Sequence, residues 1–245
     1  MPLIKEEWMM QRCFDLAQRG IGKVSPNPPV GAILEYEGRI IGEGFHEKFG
    51  GPHAEVNALA SVAAQDKGYV AKSTLYVSLE PCCIYGKTPP CTNLILQQGI
   101  RRVVVSCLDP SPAVNGRGVS ILREAGVEVV TGILEGMGKQ LIAPRRTFAC
   151  LNRPYILLKW AETANGKMAP SDHSRLWISN PWSRRLVHRW RMESDAILVG
   201  ARTALNDNPR LDNRYYYGKS PVRIVLDPKL SLPENLHIFD GSVPT

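Results

Sequence analysis

The sequence predicts a layered α/β protein built from two units. Short β-branched runs alternate with amphipathic helical stretches, which is the pattern of helices packed on a largely parallel sheet. A second such series starts near Pro154, after a segment from Gly138 to Arg153 in which the boundary is expected. There is no internal repeat and no low-complexity tract, so a solenoid or fibre has little support. The domains are set at residues 1–148 and 149–245.

The elements follow in order. Glu6 to Arg19 places Trp8, Met9, Cys13, Phe14, Leu16 and Ala17 at helical spacing, and Gly20 to Pro29 ends that helix. Val30 to Glu35 and Arg39 to Gly44 flank Tyr36-Glu37-Gly38 as a hairpin. Ala54 to Ala64 reads as a helix with His53 and Glu55 in its opening turn. Thr74 to Leu79 is a strand that stops at Glu80-Pro81 and leaves Cys82 at its mouth. Thr92 to Gln98 is helical, Arg102 to Cys107 a buried strand, Val119 to Ala125 a helix and Val127 to Val130 a strand. In the second unit Tyr155 to Trp160, Ala196 to Val199 and Val222 to Leu226 are expected strands, and Trp182 to Met192 a basic helix.

Composition narrows the class. The chain has 245 residues, 44% of them hydrophobic, which is enough for a sizeable core. No stretch approaches the roughly 18 apolar residues of a membrane span, and Met1 to Glu7 lacks the apolar region of a signal peptide, so a cytoplasmic location without membrane contact is expected. Cysteines 13, 82, 83, 91, 107 and 150 cluster beside a histidine motif, which in a reducing compartment favours metal over disulfides. Of the net charge of +7, most lies late: residues 1–150 hold 16 Lys+Arg against 14 Asp+Glu, residues 151–245 hold 14 against 9. A basic surface of that kind serves nucleic acid, a membrane or a phosphorylated small molecule. No basic stripe interleaved with aromatics is present, which argues against nucleic acid.

His53-Ala54-Glu55, followed by Pro81-Cys82-Cys83 and Cys91, carries the chemistry. Catalytic zinc takes three protein ligands and keeps one position for water, whose pKa it lowers to about 7. His53, Cys82 and Cys91 are the expected ligands, and Glu55 is left to move protons. H-x-E followed by P-C and a later Cys is the zinc deaminase signature, in which the Glu is acid/base and not a ligand. Cys82 directly follows the proline, where that signature places its ligand, so Cys83 is assigned to packing or the pocket wall. Eight residues separate Cys82 from Cys91, against two in the generic signature.

Around these ligands the chain resembles the RibD family of bifunctional riboflavin-biosynthesis deaminase/reductases. Ser25-Pro26-Asn27-Pro28-Pro29-Val30-Gly31, Gly51-Pro52-His53-Ala54-Glu55-Val56, Leu79-Glu80-Pro81-Cys82 and Gly86-Lys87-Thr88-Pro89-Pro90-Cys91 carry the resemblance, with Asp109-Pro110 and Gly116-Arg117-Gly118 extending it. The long Gly86-to-Cys91 loop is its most specific part. The resemblance implies a cytidine-deaminase-like three-layer domain followed by the first part of a dihydrofolate-reductase-like domain. It implies zinc-dependent deamination of a diaminohydroxyphosphoribosylaminopyrimidine, with Glu55 passing a proton to the ring nitrogen and then to departing ammonia. Asn27, His46 and Lys87 would line the substrate pocket.

The second unit resembles the start of the family's NADPH-dependent reductase domain, which reduces the ribose of the deaminated product. Thr163-Ala164-Asn165-Gly166-Lys167 stands where the family shows S-x-D-G-K/R, with Asn165 for the Asp; Trp177-Ile178-Ser179 and Ser194 to Gly200 match further elements. The resemblance implies cofactor contacts at Ala161, Trp177, Thr203 and Asp207 and substrate contacts at Arg175, Arg191, Leu211 and Arg214. Arg175 departs from the small polar residue usual there. The family's reductase runs on past the point matching Thr245 to a glycine-rich stretch that cradles phosphates, so a fragment with an intact deaminase and an incomplete reductase is expected. The alternatives are a tRNA or nucleoside deaminase and a silent, zinc-stabilised binding module. A homo-oligomer is left open.

Overall fold

The computed structural model describes residues 5–86, 89–171, 174 and 176–245. The chain divides into two compact units, Met1–Ile156 and Leu157–Thr245.

The first unit is a sandwich of helices on a five-stranded sheet. Helix α1 (Lys5–Gln18) leads to β1 (Gly31–Tyr36) and β2 (Arg39–Phe45), then α2 (Ala54–Ala60), β3 (Thr74–Leu79), α3 (Cys91–Gln97), β4 (Arg102–Cys107), α4 (Arg117–Glu124) and β5 (Glu128–Thr131), closing with α5 (Glu135–Leu141) and α6 (Ala143–Leu151). The strand order is β2-β1-β3-β4-β5. The first pairings, β2-β1 and β1-β3, are antiparallel, and β3-β4 and β4-β5 are parallel. A hairpin can close antiparallel strands in two residues, and Glu37 and Gly38, both at positive φ, do so here. Parallel neighbours need a crossover, which α3 and α4 provide.

Because side chains alternate across a strand, the sheet sorts its residues onto two cores. Ala32, Leu34, Leu75, Val77, Val103 and Val105 face one side and pack with Ala54 and Ala58 of α2, Ile95 of α3 and Leu122 of α4. Ile33, Tyr76 and Val104 face the other and pack with Met10, Cys13 and Phe14 of α1, joined by Leu134 and Leu141. Helix α1 lies against β1 so closely that a Cβ on Gly31 would meet the Cys13 carbonyl oxygen at 2.0 Å. Trp8, read as part of the helix's apolar set, is instead 65% exposed.

Helix α2 ends at Ala60, short of the expected Ala64. The Ser61 hydroxyl donates to the Ala58 carbonyl (2.8 Å) and accepts the Glu43 amide (2.8 Å), so its local bonds compete with another helical turn. A 3-10 segment over Ala64–Lys72 follows. Helices α5 and α6 occupy the stretch read only as a boundary.

In the second unit α7 (Pro181–Glu193) is followed by β6 (Ala196–Gly200), α8 (Ala201–Asp207) and β7 (Val222–Leu226). The Asn180 side chain caps α7 by accepting the Ser183 amide at 2.8 Å, and Pro181 sits where no amide hydrogen is needed. Strands β6 and β7 are parallel. Ala204, Leu211, Leu236 and Ile238 form a small core on one face, whereas Leu198 and Leu226 on the other are 62% and 63% exposed. Buried Arg223 ties 237–245 to β7 through the carbonyls of His237 and Val243, the Asp240 carboxylate and the Thr245 hydroxyl.

Tyr155 to Trp160 is not the strand its apolar run predicts. The segment has no ladder partner among the described residues, and Tyr155, Ile156, Leu157, Leu158 and Trp160 are 51–75% exposed. A strand needs a lateral neighbour for its N–H and C=O groups, which apolar sequence does not provide by itself. Among the described residues no helix is long and apolar enough to cross a membrane.

Candidate metal centre

The first unit brings three chain segments to one point. His53 is the residue before α2, held in extended backbone (φ −74°, ψ 166°). Cys82 leaves the C-terminal end of β3, and Cys91 opens α3. The start of the crossover from β3 to its parallel neighbour β4 carries both cysteines, at the carboxyl end of the strand where ligands collect in open α/β sheets.

The distances suit a tetrahedral cation. Nδ1 of His53 lies 3.5 Å from Sγ of Cys82 and 3.3 Å from Sγ of Cys91. The three donor atoms all fall within 4.8 Å of one another. Zinc bonds of about 2.3 Å to sulfur and 2.0–2.1 Å to nitrogen at tetrahedral angles give N···S edges of about 3.6 Å. The Cys91 amide donates to Sγ of Cys82 at 3.3 Å, an electrostatic preference for thiolate there.

The protonation pattern agrees. Contacts from Cys91 and His53 hold the Cys82 thiol well below the ordinary thiol value. The contact with Cys82 raises His53 above the ordinary imidazole value, and the same neighbour together with burial pushes Cys91 up. Two thiols and an imidazole this close compete for protons, a competition that a divalent cation relieves. Glu55, in the first turn of α2, is 3% exposed, and burial followed by the Cys82 charge raises its carboxyl above the usual range. Burial of this kind shifts a carboxyl toward its protonated form, the direction general acid/base work calls for.

His46, just beyond β2, extends the cluster. Its ring stands edge-on to His53 with centroids 5.5 Å apart. Its Nδ1 lies 2.8 Å from the Pro52 carbonyl oxygen, which can only accept, so Nδ1 carries the hydrogen. Nε2 then accepts from the Asn27 amide at 3.1 Å. Burial keeps His46 below the ordinary imidazole value, consistent with this neutral tautomer. Asn27, His46, His53, Glu55, Cys82 and Cys91 thus form one connected group, while Lys87 lies outside the described residues. Cys83 is partly exposed next to the triad and outside it.

The second unit gathers its expected residues less completely. Arg191 reaches the Asp212 carbonyl at 2.8 Å, and Arg214 pairs with the Asp212 carboxylate and lies over Tyr215 at 5.0 Å. His188, 4% exposed, joins the two: its Nδ1 accepts the amides of Arg214 (3.0 Å) and Tyr215 (3.4 Å). Leu211, at φ +53°, is buried in the small core of this unit. Trp177 is 57% exposed with Arg184 over its ring at 4.7 Å. Thr203 and Asp207 lie on the exposed surface of α8, Ala161 is half-buried in irregular chain, and Arg175 is outside the described residues.

Sequence reading missed His188 and Glu80. Glu80 is 4% exposed and accepts three backbone amides, from Asp109 (3.1 Å), Gly116 (2.9 Å) and Val119 (3.2 Å). Its place inside Leu79-Glu80-Pro81-Cys82 was the available signal, but its partners lie about 30 to 40 residues downstream.

Comparison with known proteins covers both units. Residues 3–107 match the family model for the cytidine and deoxycytidylate deaminase zinc-binding region, and residues 154–245 match the model for the RibD C-terminal domain. The riboflavin biosynthesis protein RibD of Aquifex aeolicus is 47% identical over 232 residues, 94% of this chain and 64% of that protein. A diaminohydroxyphosphoribosylaminopyrimidine deaminase/5-amino-6-(5-phosphoribosylamino)uracil reductase from Thermotoga maritima superposes with a TM-score of 0.91 at 44% identity, covering 98% of this chain and 68% of that one. The RibD structure from Acinetobacter baumannii gives 0.88 at 37% identity, with 97% and 67% covered. The chain therefore spans less than two thirds of the length of the curated relative.

Proposed function

The chain belongs to the RibD family, and from that premise we propose that its first unit is a zinc-dependent deaminase acting on a diaminohydroxyphosphoribosylaminopyrimidine in riboflavin biosynthesis. The observation that carries this reading is the convergence of His53, Cys82 and Cys91 with buried Glu55 beside them. Zinc held by these three ligands supplies the Lewis acid that makes water nucleophilic at neutral pH.

The chain's own residues do the rest. Glu55 takes a proton from the attacking water, delivers it to the ring nitrogen and assists departure of ammonia, roles its raised pKa suits. His46, locked by the Pro52 carbonyl, fixes the Asn27 amide through Nε2. Asn27 then offers its carbonyl oxygen and second amide hydrogen to the pyrimidine edge. Lys87 is proposed as a further substrate contact on family grounds alone. The relative from Thermotoga is named for this substrate, and the long loop between Cys82 and Cys91 favours it over a tRNA or nucleoside substrate.

Residues 1–148 are proposed as the deaminase domain and 149–245 as the first portion of the reductase, in which Arg175, Arg191, Leu211 and Arg214 are the family-derived substrate positions. NADPH is the hydride donor the family implies. Ala161, Trp177, Thr203 and Asp207 are the family-derived cofactor positions, of which Trp177, Thr203 and Asp207 lie on exposed surface. No hydride step follows from this arrangement. We place the protein in the cytoplasm, working on a small molecule without nucleic acid or membrane. Ammonia release from the phosphoribosyl pyrimidine but not from cytidine or adenosine tests the reading; release from cytidine with equal efficiency would replace it with a nucleoside deaminase.

A further inference from the structure

We propose that Glu80 is a positioning residue for the metal ligand Cys82, holding the ligand loop to the start of α4. The proposal rests on the zinc reading above. Glu80 extends β3 beyond its last residue: its amide donates to the Cys107 carbonyl at 2.9 Å, continuing the line of the sheet toward the metal centre. Its carboxyl group then turns away from the ligands. Oε2 accepts the amides of Asp109 (3.1 Å) and Gly116 (2.9 Å), and Oε1 accepts that of Val119 (3.2 Å). Arg117, Gly118 and Val119 form the first turn of α4, whose amides have no partner within the helix. Glu80 therefore caps α4 from a different part of the chain.

The attachment is tight on both sides. A Cβ on Gly118 would lie 2.2 Å from the Pro81 carbonyl oxygen and 3.2 Å from Oε1 of Glu80. Only a residue without a side chain lets α4 approach the ligand loop this closely. Pro81 fixes its own φ, so the bond pattern at Glu80 is passed to Cys82 with little slack. From its other side Cys82 is held by α3: its carbonyl accepts the Thr92 amide at 3.2 Å and its sulfur the Cys91 amide at 3.3 Å. Cys82 is thus suspended between α3 and, through Glu80, α4. Groups that orient metal ligands typically account for about 10- to 100-fold in metal affinity.

Glu80→Gln tests this, because the amide keeps the size of the carboxyl group but presents N–H where an acceptor is needed. Gly118→Ala perturbs the same attachment from α4 and leaves Glu80 in place. Zinc affinity by chelator competition and the absorption spectrum of the cobalt(II)-substituted protein are read alongside circular dichroism. The expected result is a Glu80→Gln protein with native circular dichroism, about 10- to 100-fold weaker zinc binding and a shifted thiolate-to-cobalt and ligand-field spectrum, with Gly118→Ala shifted in the same way. A native spectrum and native affinity in folded Glu80→Gln would overturn the proposal. If Glu80→Gln does not fold, Gly118→Ala decides on the same criteria. A wild-type protein whose cobalt spectrum lacks thiolate bands would instead overturn the zinc reading itself.

Discussion

The two units handle their chemistry-bearing residues in opposite ways. In the first, the described metal ligands and His46 sit at the end of a strand or the start of a helix and are fixed by neighbours: His53 before α2, Cys82 beyond β3, Cys91 opening α3, and His46 locked between Pro52 and Asn27. In the second, Trp177, Thr203, Asp207 and Arg214 lie on the surface, and among the described residues the sheet has two strands, with Leu198 and Leu226 exposed on one face. The first unit's sheet is covered by α1 and α5 on one side and by α2, α3 and α4 on the other.

The largest effect that would break this contrast is at Glu55. Glu55→Gln should reduce deamination by at least about 10²–10⁴-fold, the usual contribution of a positioned acid/base, with zinc content unchanged by metal analysis. Loss of zinc together with activity would point to a structural metal site instead. Next in size is the core beneath it. Leu122, fully buried in the first unit, should cost about 2–5 kcal/mol on replacement by Ala in a denaturant titration.

A smaller and pH-dependent effect belongs to the second unit. Burial, with Arg191 and Arg214 beside it and Asp212 opposing them, holds His188 down at about 4. The unfolded chain takes up this proton from about pH 6.5 downward and the folded chain only near 4, so the second unit should lose stability as pH falls from about 6.5 to 4 and no further from this group below that. Melting of a His188→Gln variant should show a flatter dependence over that window; an equal slope would remove His188 from the account. Smallest of all, Leu198→Ser on the exposed face of β6 should change stability by no more than about 0.5 kcal/mol by thermal melting.

The sequence was most legible where local pattern and long-range packing agree. Thr74 to Leu79 and Arg102 to Cys107 are continuous β-rich runs, and both are strands at those limits because a central parallel strand is buried on both faces. The ligands were legible because zinc chemistry restricts residue type and spacing. Tyr155 to Trp160 misled, since an apolar run announces burial without naming its partner. Helices α5 and α6 were hidden by glycines and prolines that suggest a boundary, and α8 by its shortness. The roles of Glu80 and His188 were hidden for one reason: each acts on backbone amides distant in sequence, and an amide carries no side-chain signature.

The central claim is that the first unit holds a complete deaminase centre on its own ligands. It is tested most directly by measuring ammonia release from diaminohydroxyphosphoribosylaminopyrimidine by the zinc-loaded chain, with a Cys91→Ser variant in parallel. The account predicts turnover by the wild-type chain, and loss of both bound zinc and turnover in Cys91→Ser. A folded, zinc-loaded wild-type chain that releases no ammonia from this substrate would contradict it.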